Sequence, residues 1–165
     1  MEGLKYPLEQ LMKIKLKRFE KAQTVLEEKK RLLDREEEVL KKKEEEKNEV
    51  LLHKQKKLDQ LHQTLNEGTT SNKLLQMENY LDTVEEKLNE KIKKVKNQEK
   101  KVESARLEVE KAKKDLFQKK KDVEKLEIHK KEWKEEVDKW IKNQEQLVQN
   151  ELGSIGHYRR KKEKG

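Results

Sequence analysis

The chain has 165 residues, of which 47% are charged, 30% apolar and 4% aromatic, with a formal net charge of +8 at pH 7. So few apolar residues cannot form an ordinary globular core, which leaves disorder or long helices with a narrow apolar stripe. The sequence contains no cysteine, which excludes disulfides and thiol chemistry. It also has neither an apolar run of roughly 18 residues that would span a bilayer nor a secretory signal. We expect a soluble, cytoplasmic, nearly all-helical protein.

Residues that break helices lie near the chain ends and in one internal stretch, NEGTTSN at 66–72. The sequence therefore predicts a single domain over 1–165, with helix 1 at about 8–66, a turn at about 67–71 and helix 2 at about 72–152. A basic tail follows at 153–165. Gly68 suits the position just after helix 1, and Ser71 is the candidate N-cap of helix 2.

Helix 1 carries apolar residues seven apart at Met12, Phe19, Leu26, Leu33 and Leu40, and the series resumes at Leu61 after Lys47 and Lys54. The companion positions are Leu8 and Ala22 near the start, but Leu51, Leu58 and Leu65 near the turn. Because this companion register changes, we expect an irregularity around residues 36–50.

Helix 2 carries a heptad seam over about eleven heptads, which is typical of a left-handed coiled coil. One series runs from Leu74 through Leu81, Leu88, Val95 and Val102 to Val137. The companion series, three residues later, includes Met77, Val84, Gln98, Ala105, Trp133, Trp140 and Leu147.

Folding back at the turn would pair residues whose numbers total about 138. Apolar positions then mostly meet apolar ones, and the polar intrusions meet as well, with Lys47 facing Lys91 and Leu40 facing Gln98. This agreement favours an all-α fold, a long antiparallel two-helix coiled-coil hairpin, over a straight rod that dimerises. Its arms are unequal, roughly 90 Å and 120 Å at 1.5 Å per residue.

Helix 1 has no residues left to cover helix 2 beyond about residue 130. We therefore expect a stripe that includes Trp133 and Trp140 to be uncovered and to bind a partner. The alternatives are that residues 1–7 or a second copy cover it.

No catalytic, phosphate-binding or metal-binding motif occurs, and we expect neither enzymatic activity nor a cofactor or metal. The net positive charge lies at the two termini, with +3 over 1–18 and +4 over 153–165, whereas the residues between them sum to +1. The basic tail is open to three interpretations: a solubilising disordered segment, a contact for an acidic protein surface, or a contact for nucleic acid or membrane.

Three segments carry a resemblance to a known family: the start KYPLEQLMKIKLKRFEKAQTVLEEKKRLL, the turn region GTTSNKLLQMENYLDTVEEKL, and HKKEWKEEV. Together they resemble the YscO/FliJ family of central stalk proteins of type III secretion and flagellar export ATPases, with the chlamydial members most similar.

The resemblance implies a monomeric, non-enzymatic stalk, cytoplasmic and peripheral to the inner-membrane secretion apparatus. Its termini end would bind the hexameric ATPase ring, its turn end would bind the cytosolic domain of the export gate, and it would bind export chaperones. The candidate ring-binding residues are Lys13, Lys15, Lys17, Arg18, Trp133, Trp140, Arg159 and Arg160. The candidate gate-binding residues are Tyr80, Val84 and Lys87. The alternative function is a self-associating coiled-coil scaffold without an ATPase partner.

Overall fold

The computed structural model describes residues 4–164, which are 94% helical and contain no strand. Helix α1 spans Glu9–Glu67 and helix α2 spans Ser71–Glu163. The two helices pack antiparallel against each other, which confirms the all-α hairpin. The unequal arms are also present, with 59 residues in α1 and 93 in α2.

Helix α2 ends later than the sequence predicts. Residues 153–163, expected as a basic tail beyond the helix, continue it to Glu163. Each of Gly153 and Gly156 weakens a helix by roughly 1 kcal/mol relative to alanine. The last turn carries Arg160, Lys161 and Lys162, whose positive charges favour the C-terminal end of the helix dipole.

The turn begins with the predicted glycine and ends with a different cap. Gly68 adopts φ +87°, the left-handed conformation that ends α1. The amide of Lys73 donates to Thr70 Oγ1 at 3.4 Å, and the amide of Leu74 donates to the Thr70 carbonyl at 3.1 Å. Thr70 is therefore the N-cap of α2, and the assignment to Ser71 is wrong by one residue.

The chain divides into two compact units. The terminal unit comprises Met1–Ala22 and Leu116–Gly165, and the turn unit comprises Gln23–Asp115. The expectation of one domain over 1–165 stays a prediction.

The core of the turn unit is the predicted seam of α2, closed by one face of α1. Both series of α2 seam positions are buried or half-buried throughout this unit. The most buried apolar side chains are Leu26, Val84, Leu88, Val95, Val102, Val109 and Ala112. Because only two positions in seven face the partner helix, this core is one narrow row of side-chain layers stacked along the helix axis.

The seam of α1 differs from the prediction in its companion series. Val50, Lys57 and Thr64 are half-buried, and they continue a seven-residue spacing from Lys29 and onward without a shift. Leu51 and Leu65, which the sequence places in the seam, are about half exposed at 50% and 47%. The expected change of register around residues 36–50 is therefore wrong, because Glu36, Lys43 and Val50 occupy the companion positions there.

Ion pairs across the turn unit follow the expected register. They join Lys29 to Glu108, Glu37 to Arg106, Glu46 to Lys91 and Lys54 to Glu85, with N–O distances of 3.5, 3.6, 3.1 and 3.7 Å. The two residue numbers of each pair total within 5 of 138, so the fold-back register is confirmed in this unit. Pairs exposed to solvent in this way contribute little to the free energy of unfolding, so they select the register more than they stabilise it.

Gln98 forms the one fully buried polar layer that the structure describes in residues 4–164. Its Nε2 donates to the Glu36 carbonyl at 2.9 Å and also to the Glu36 carboxylate. Lys43 Nζ donates to Gln98 Oε1 at 3.4 Å. A buried amide with all these partners is stabilising, whereas any shift of register would leave it unpaired.

The terminal unit holds a second stretch of the same seam. Ala22 and Val123 are buried, and Lys15 Nζ pairs with Asp122 at 3.7 Å. Lys130 Nζ lies 3.0 Å from Glu9 Oε2. Both pairs have residue numbers that total within 3 of 138, so the register is confirmed here too. Over residues 4–164, neither helix has a stretch apolar enough to cross a membrane.

The Gln98 layer generates the first testable prediction. Replacing Gln98 with alanine leaves a cavity and removes the hydrogen bonds, so the free energy of unfolding should fall by about 2 kcal/mol. Urea denaturation followed by circular dichroism measures the change. The neighbouring Asn97→Ala change, at an exposed position, is the matched control and should have almost no effect. Equal effects of the two changes would contradict the role of the buried layer.

Candidate partner-binding surfaces

Tyr6 anchors the segment before α1 to helix α2. Its side chain is buried, its hydroxyl hydrogen-bonds to Nδ1 of His129, and its ring packs edge-on against Trp133 with centroids 5.5 Å apart. Lys130 Nζ lies 5.9 Å from the centre of the Tyr6 ring and bonds to Glu9, the first residue of α1. These residues, Tyr6, Glu9, His129, Lys130 and Trp133, form the Tyr6 cluster.

The Tyr6 cluster corrects the expectation for Trp133. Trp133 is half-buried because Tyr6 covers it, so the uncovered stripe does not begin there. Leu4 extends this cover along a groove of about 210 Å³ that Val137 and Ile141 also line. Of the three alternatives left open by the sequence, cover by the N-terminal segment is the one observed for Trp133, through Tyr6 and Leu4.

From Trp140 onward, the apolar side chains of α2 are exposed, apart from the half-buried Ile141. Trp140 and Leu147 are each 55% exposed and Tyr158 is 67% exposed. Trp140 and Leu147 are seven residues apart and continue the hairpin seam, and Tyr158 lies on the same side of the helix by its spacing. We call these three residues the Trp140 row. Large aromatic and aliphatic side chains exposed in one row are typical of a protein-binding surface.

The predicted basic residues of the terminal unit have different environments. Lys13, Lys17 and Arg18 are exposed on α1, and Arg159 and Arg160 are exposed near the end of α2. Lys15 instead lies on the seam, where it is half-buried and paired with Asp122. The first group is therefore available to an acidic surface, whereas Lys15 helps to hold the hairpin together.

Tyr80 lies between two adjoining grooves of the turn unit. Its hydroxyl is 2.7 Å from His53 Nε2, the two rings meet edge-on at 5.9 Å, and Lys57 Nζ lies 5.5 Å from the ring centre. The grooves have volumes of about 390 and 440 Å³. We call them together the Tyr80 groove, which is lined by Glu49, Val50, His53, Lys57, Gln60, Thr64, Lys73, Gln76, Met77, Leu81, Thr83, Val84 and Lys87.

The three candidate gate-binding residues occupy different places in the Tyr80 groove. Tyr80 is 46% exposed and Lys87 is exposed at the rim, so both are accessible. Val84 is buried in the hairpin core and contributes only to the floor of the groove. A partner in this groove would therefore contact the Tyr80 ring and meet positive charge from Lys57, Lys73 and Lys87.

Sequence reasoning missed the two tyrosine–histidine contacts. His53 hydrogen-bonds to Tyr80 of the other helix, and His129 hydrogen-bonds to Tyr6 of the segment before α1. The spacing of these residues from the turn was the available signal, since His53 with Tyr80 and Tyr6 with His129 both obey the fold-back register to within 5. No group of three or more metal-ligating side chains is placed to hold an ion in residues 4–164.

Comparison with known proteins agrees with this architecture. A family model for the YscO-like protein matches residues 3–163. The chain is also similar to a solved structure, a YscO homologue, CT670 from Chlamydia trachomatis, at 38% identity. The superposition has a TM-score of 0.91 and covers 96% of this chain and 98% of CT670. No match is found among curated proteins.

A helical hairpin with aromatic and aliphatic side chains exposed in rows is typical of proteins that bind other proteins. The chain belongs to the YscO-like family. Membership implies a protein associated with type III secretion, in a family of structural secretion-system components.

The Glu9–Lys130 pair generates a prediction about pH. The hydrogen bond from Lys130 lowers the pKa of Glu9 below its ordinary 4.5, by more than partial desolvation raises it. Because the pKa is lowered on folding, the pair stabilises the fold above pH 4.5, and this contribution is lost as the pH falls through the folded-state pKa. Carboxyl NMR titration should show the Glu9 midpoint below 4.5, and Lys130→Met should move it up.

Lys134 supplies the matched control for this titration. It lowers the pKa of Glu9 only through its charge, with a smaller effect than Lys130. Lys134→Met should therefore move the Glu9 midpoint much less than Lys130→Met does. An unchanged midpoint in Lys130→Met would show that the hydrogen bond does not form in solution.

Proposed function

We propose that the chain is the non-enzymatic central stalk of a type III secretion ATPase. In this function the terminal unit binds the hexameric ATPase ring, and the turn unit binds the cytosolic domain of the export gate. The protein acts in the cytoplasm, at the periphery of the inner-membrane secretion apparatus. The observation that carries the proposal is the exposed Trp140 row of the terminal unit, in a chain of the YscO-like family.

The ring-binding half of the proposal rests on the Trp140 row and on charge. Trp140 and Leu147 supply the apolar area, because more than half of each residue is exposed to solvent. Lys13, Lys17 and Arg18 are exposed on α1 and suit an acidic ring surface by charge complementarity. Apolar contact would slow dissociation, while the cations would steer association.

The gate-binding half rests on the Tyr80 groove. An exposed aromatic ring within a concave surface is the type of residue that anchors protein interfaces. The hydrogen bond to His53 holds this ring in one orientation, so little conformational entropy is lost when a partner packs on it. The lysines of the groove favour a partner segment with acidic residues. Export chaperones are a further proposed class of partner, on the exposed part of α2.

The ring contact is tested by charge reversal. A variant with Lys13→Glu, Lys17→Glu and Arg18→Glu should bind the cognate ATPase about tenfold more weakly or worse, because like charges then face each other. Stimulation of ATP hydrolysis should fall in parallel. Pull-down and titration of the full chain against the ATPase measure both effects.

A second triple variant keeps the total charge change equal. Lys30→Glu, Lys41→Glu and Lys42→Glu reverse three exposed lysines of the turn unit and should leave ATPase binding nearly intact. Equal weakening by both variants would indicate an effect of net charge alone. Full stimulation by the Lys13, Lys17 and Arg18 variant would refute the basic contact with the ring.

The gate contact is tested at Tyr80. Tyr80→Ala should weaken binding of the cytosolic gate domain by about tenfold or more, because an interface anchor is lost. Tyr80→Phe keeps the ring and should retain most of the affinity. Leu75→Ala, at a nearby exposed apolar residue outside the groove, is the matched control. Isothermal titration calorimetry measures all three, and wild-type affinity in Tyr80→Ala would exclude the groove as the gate site.

A further inference from the structure

The last part of α2 carries a second apolar face, distinct from the Trp140 row. Val148, Leu152 and Ile155 are 53%, 63% and 50% exposed. At about 100° per residue, these side chains lie roughly 90° around the helix from Trp140, Leu147 and Tyr158. We call Val148, Leu152 and Ile155 the Leu152 face. No described residue of α1 lies opposite it, because the cross-helix contacts end at the Tyr6 cluster and the Leu4 groove.

The Leu152 face has the spacing of a coiled-coil seam of its own. Residues 145, 152 and 159 are seven apart, and so are 148, 155 and 162, three residues later. This is the a and d pattern of a heptad seam. The two series alternate along the helix and together form the surface that packs against a partner helix. The apolar members lie at the centre of the seam, and the charged members, Glu145, Arg159 and Lys162, lie at its ends.

The charges of this segment select the orientation of a partner helix. Its acidic residues Glu145 and Glu151 come first, and the basic residues 159–162 and Lys164 follow, with Glu163 among them. A parallel pair in register would place Glu145 against Glu145 and Lys162 against Lys162, whereas an antiparallel pair can place Glu145 of each copy against Lys162 of the other. Antiparallel helix dipoles also attract each other. The charges therefore favour an antiparallel pair over a parallel one.

The register of such a pair follows from the same residues. In an antiparallel seam each member of one heptad series faces a member of the other. Opposing residue numbers then total either 300 or 307 near the centre. A total of 300 would bury Glu145 against Ile155. A total of 307 places Leu152 against Ile155, Val148 against the aliphatic stem of Arg159, and Glu145 against Lys162.

We propose that a second copy of this chain covers the Leu152 face, in an antiparallel dimer whose opposing residue numbers total 307. Each layer occurs twice by two-fold symmetry, and the overlap covers residues 143–164 over roughly 33 Å. The overlap ends before Ile141, so the groove of Leu4 and the Tyr6 cluster stay as they are. Such a short interface, with three apolar side chains from each copy, is typical of a weak and reversible dimer.

This proposal does not depend on the stalk function. The Trp140 row stays outside the dimer seam, and Arg159 is shared between the seam and the candidate ring-binding residues. Ring binding by the chain would therefore compete with dimer formation only at the end of α2.

The test is the mass of the full-length chain by sedimentation equilibrium over a range of concentrations. The wild type should show a reversible monomer–dimer equilibrium. Leu152→Asp should abolish the dimer, whereas Leu147→Asp, the same change on the Trp140 row, should leave it intact. Both side chains are exposed in the single chain, so circular dichroism should show unchanged helix content in both variants.

Charge exchange then tests the register. Glu145→Lys and Lys162→Glu should each weaken the dimer by about tenfold or more, because each creates a like-charge layer at both ends. The double variant should restore it, and an equimolar mixture of the two single variants should form a heterodimer. A wild-type chain that stays monomeric at concentrations up to about 100 µM would overturn the proposal. So would loss of the dimer in Leu147→Asp but not in Leu152→Asp.

Discussion

The structure depends on a heptad seam in which only two side chains of every seven are removed from water. With so narrow a core, each layer matters, and the large residues of one helix meet small or polar ones of the other. Val95, Val102 and Val109 supply nearly fully buried β-branched layers on α2. The companion series of α1 supplies Lys29, Glu36, Lys43 and Lys57, whose aliphatic stems pack while their charged ends reach solvent. Helix α2 thus supplies more of the buried apolar surface of the hairpin than α1 does.

This asymmetry explains which parts of the fold can be predicted from the sequence. The α2 seam follows directly from its residues, and the register follows from the position of Gly68. The α1 register does not, because Leu51 and Leu65 are more apolar than Val50 and Thr64 and yet are exposed. A helix cannot rotate for a few residues without breaking its own hydrogen bonds, so α1 keeps the phase set by Phe19, Leu26 and Leu33. Packing against a regular partner overrides local hydrophobicity.

The binding surfaces were less predictable for the same physical reason. Heptad counting identifies the point along α2 at which α1 no longer lies opposite it. It therefore identifies the uncovered residues Trp140 and Leu147 correctly. It does not place residues outside the helices, and Tyr6 comes from such a segment. Likewise, it describes Val84 as one more seam residue without showing that the neighbouring Tyr80 is held at the surface by His53. The position of a side chain next to the seam depends on residues of the partner helix. The periodicity of one helix gives no information about those residues.

The polar residues that interrupt the seam have different partners in the two units. In the turn unit, Gln98 is buried with donors and acceptors from Glu36 and Lys43, so a slip of the two helices would leave an amide unpaired. In the terminal unit, Lys130 interrupts the seam next to Tyr6, and its ammonium group is satisfied by Glu9 at the point where α1 begins. Beyond that point Gln144 and Glu151 occupy the seam positions of α2, and no described residue of α1 lies opposite them. The exposed apolar residues there follow two phases around the helix instead of one, so this segment presents two separate apolar surfaces, the Trp140 row and the Leu152 face.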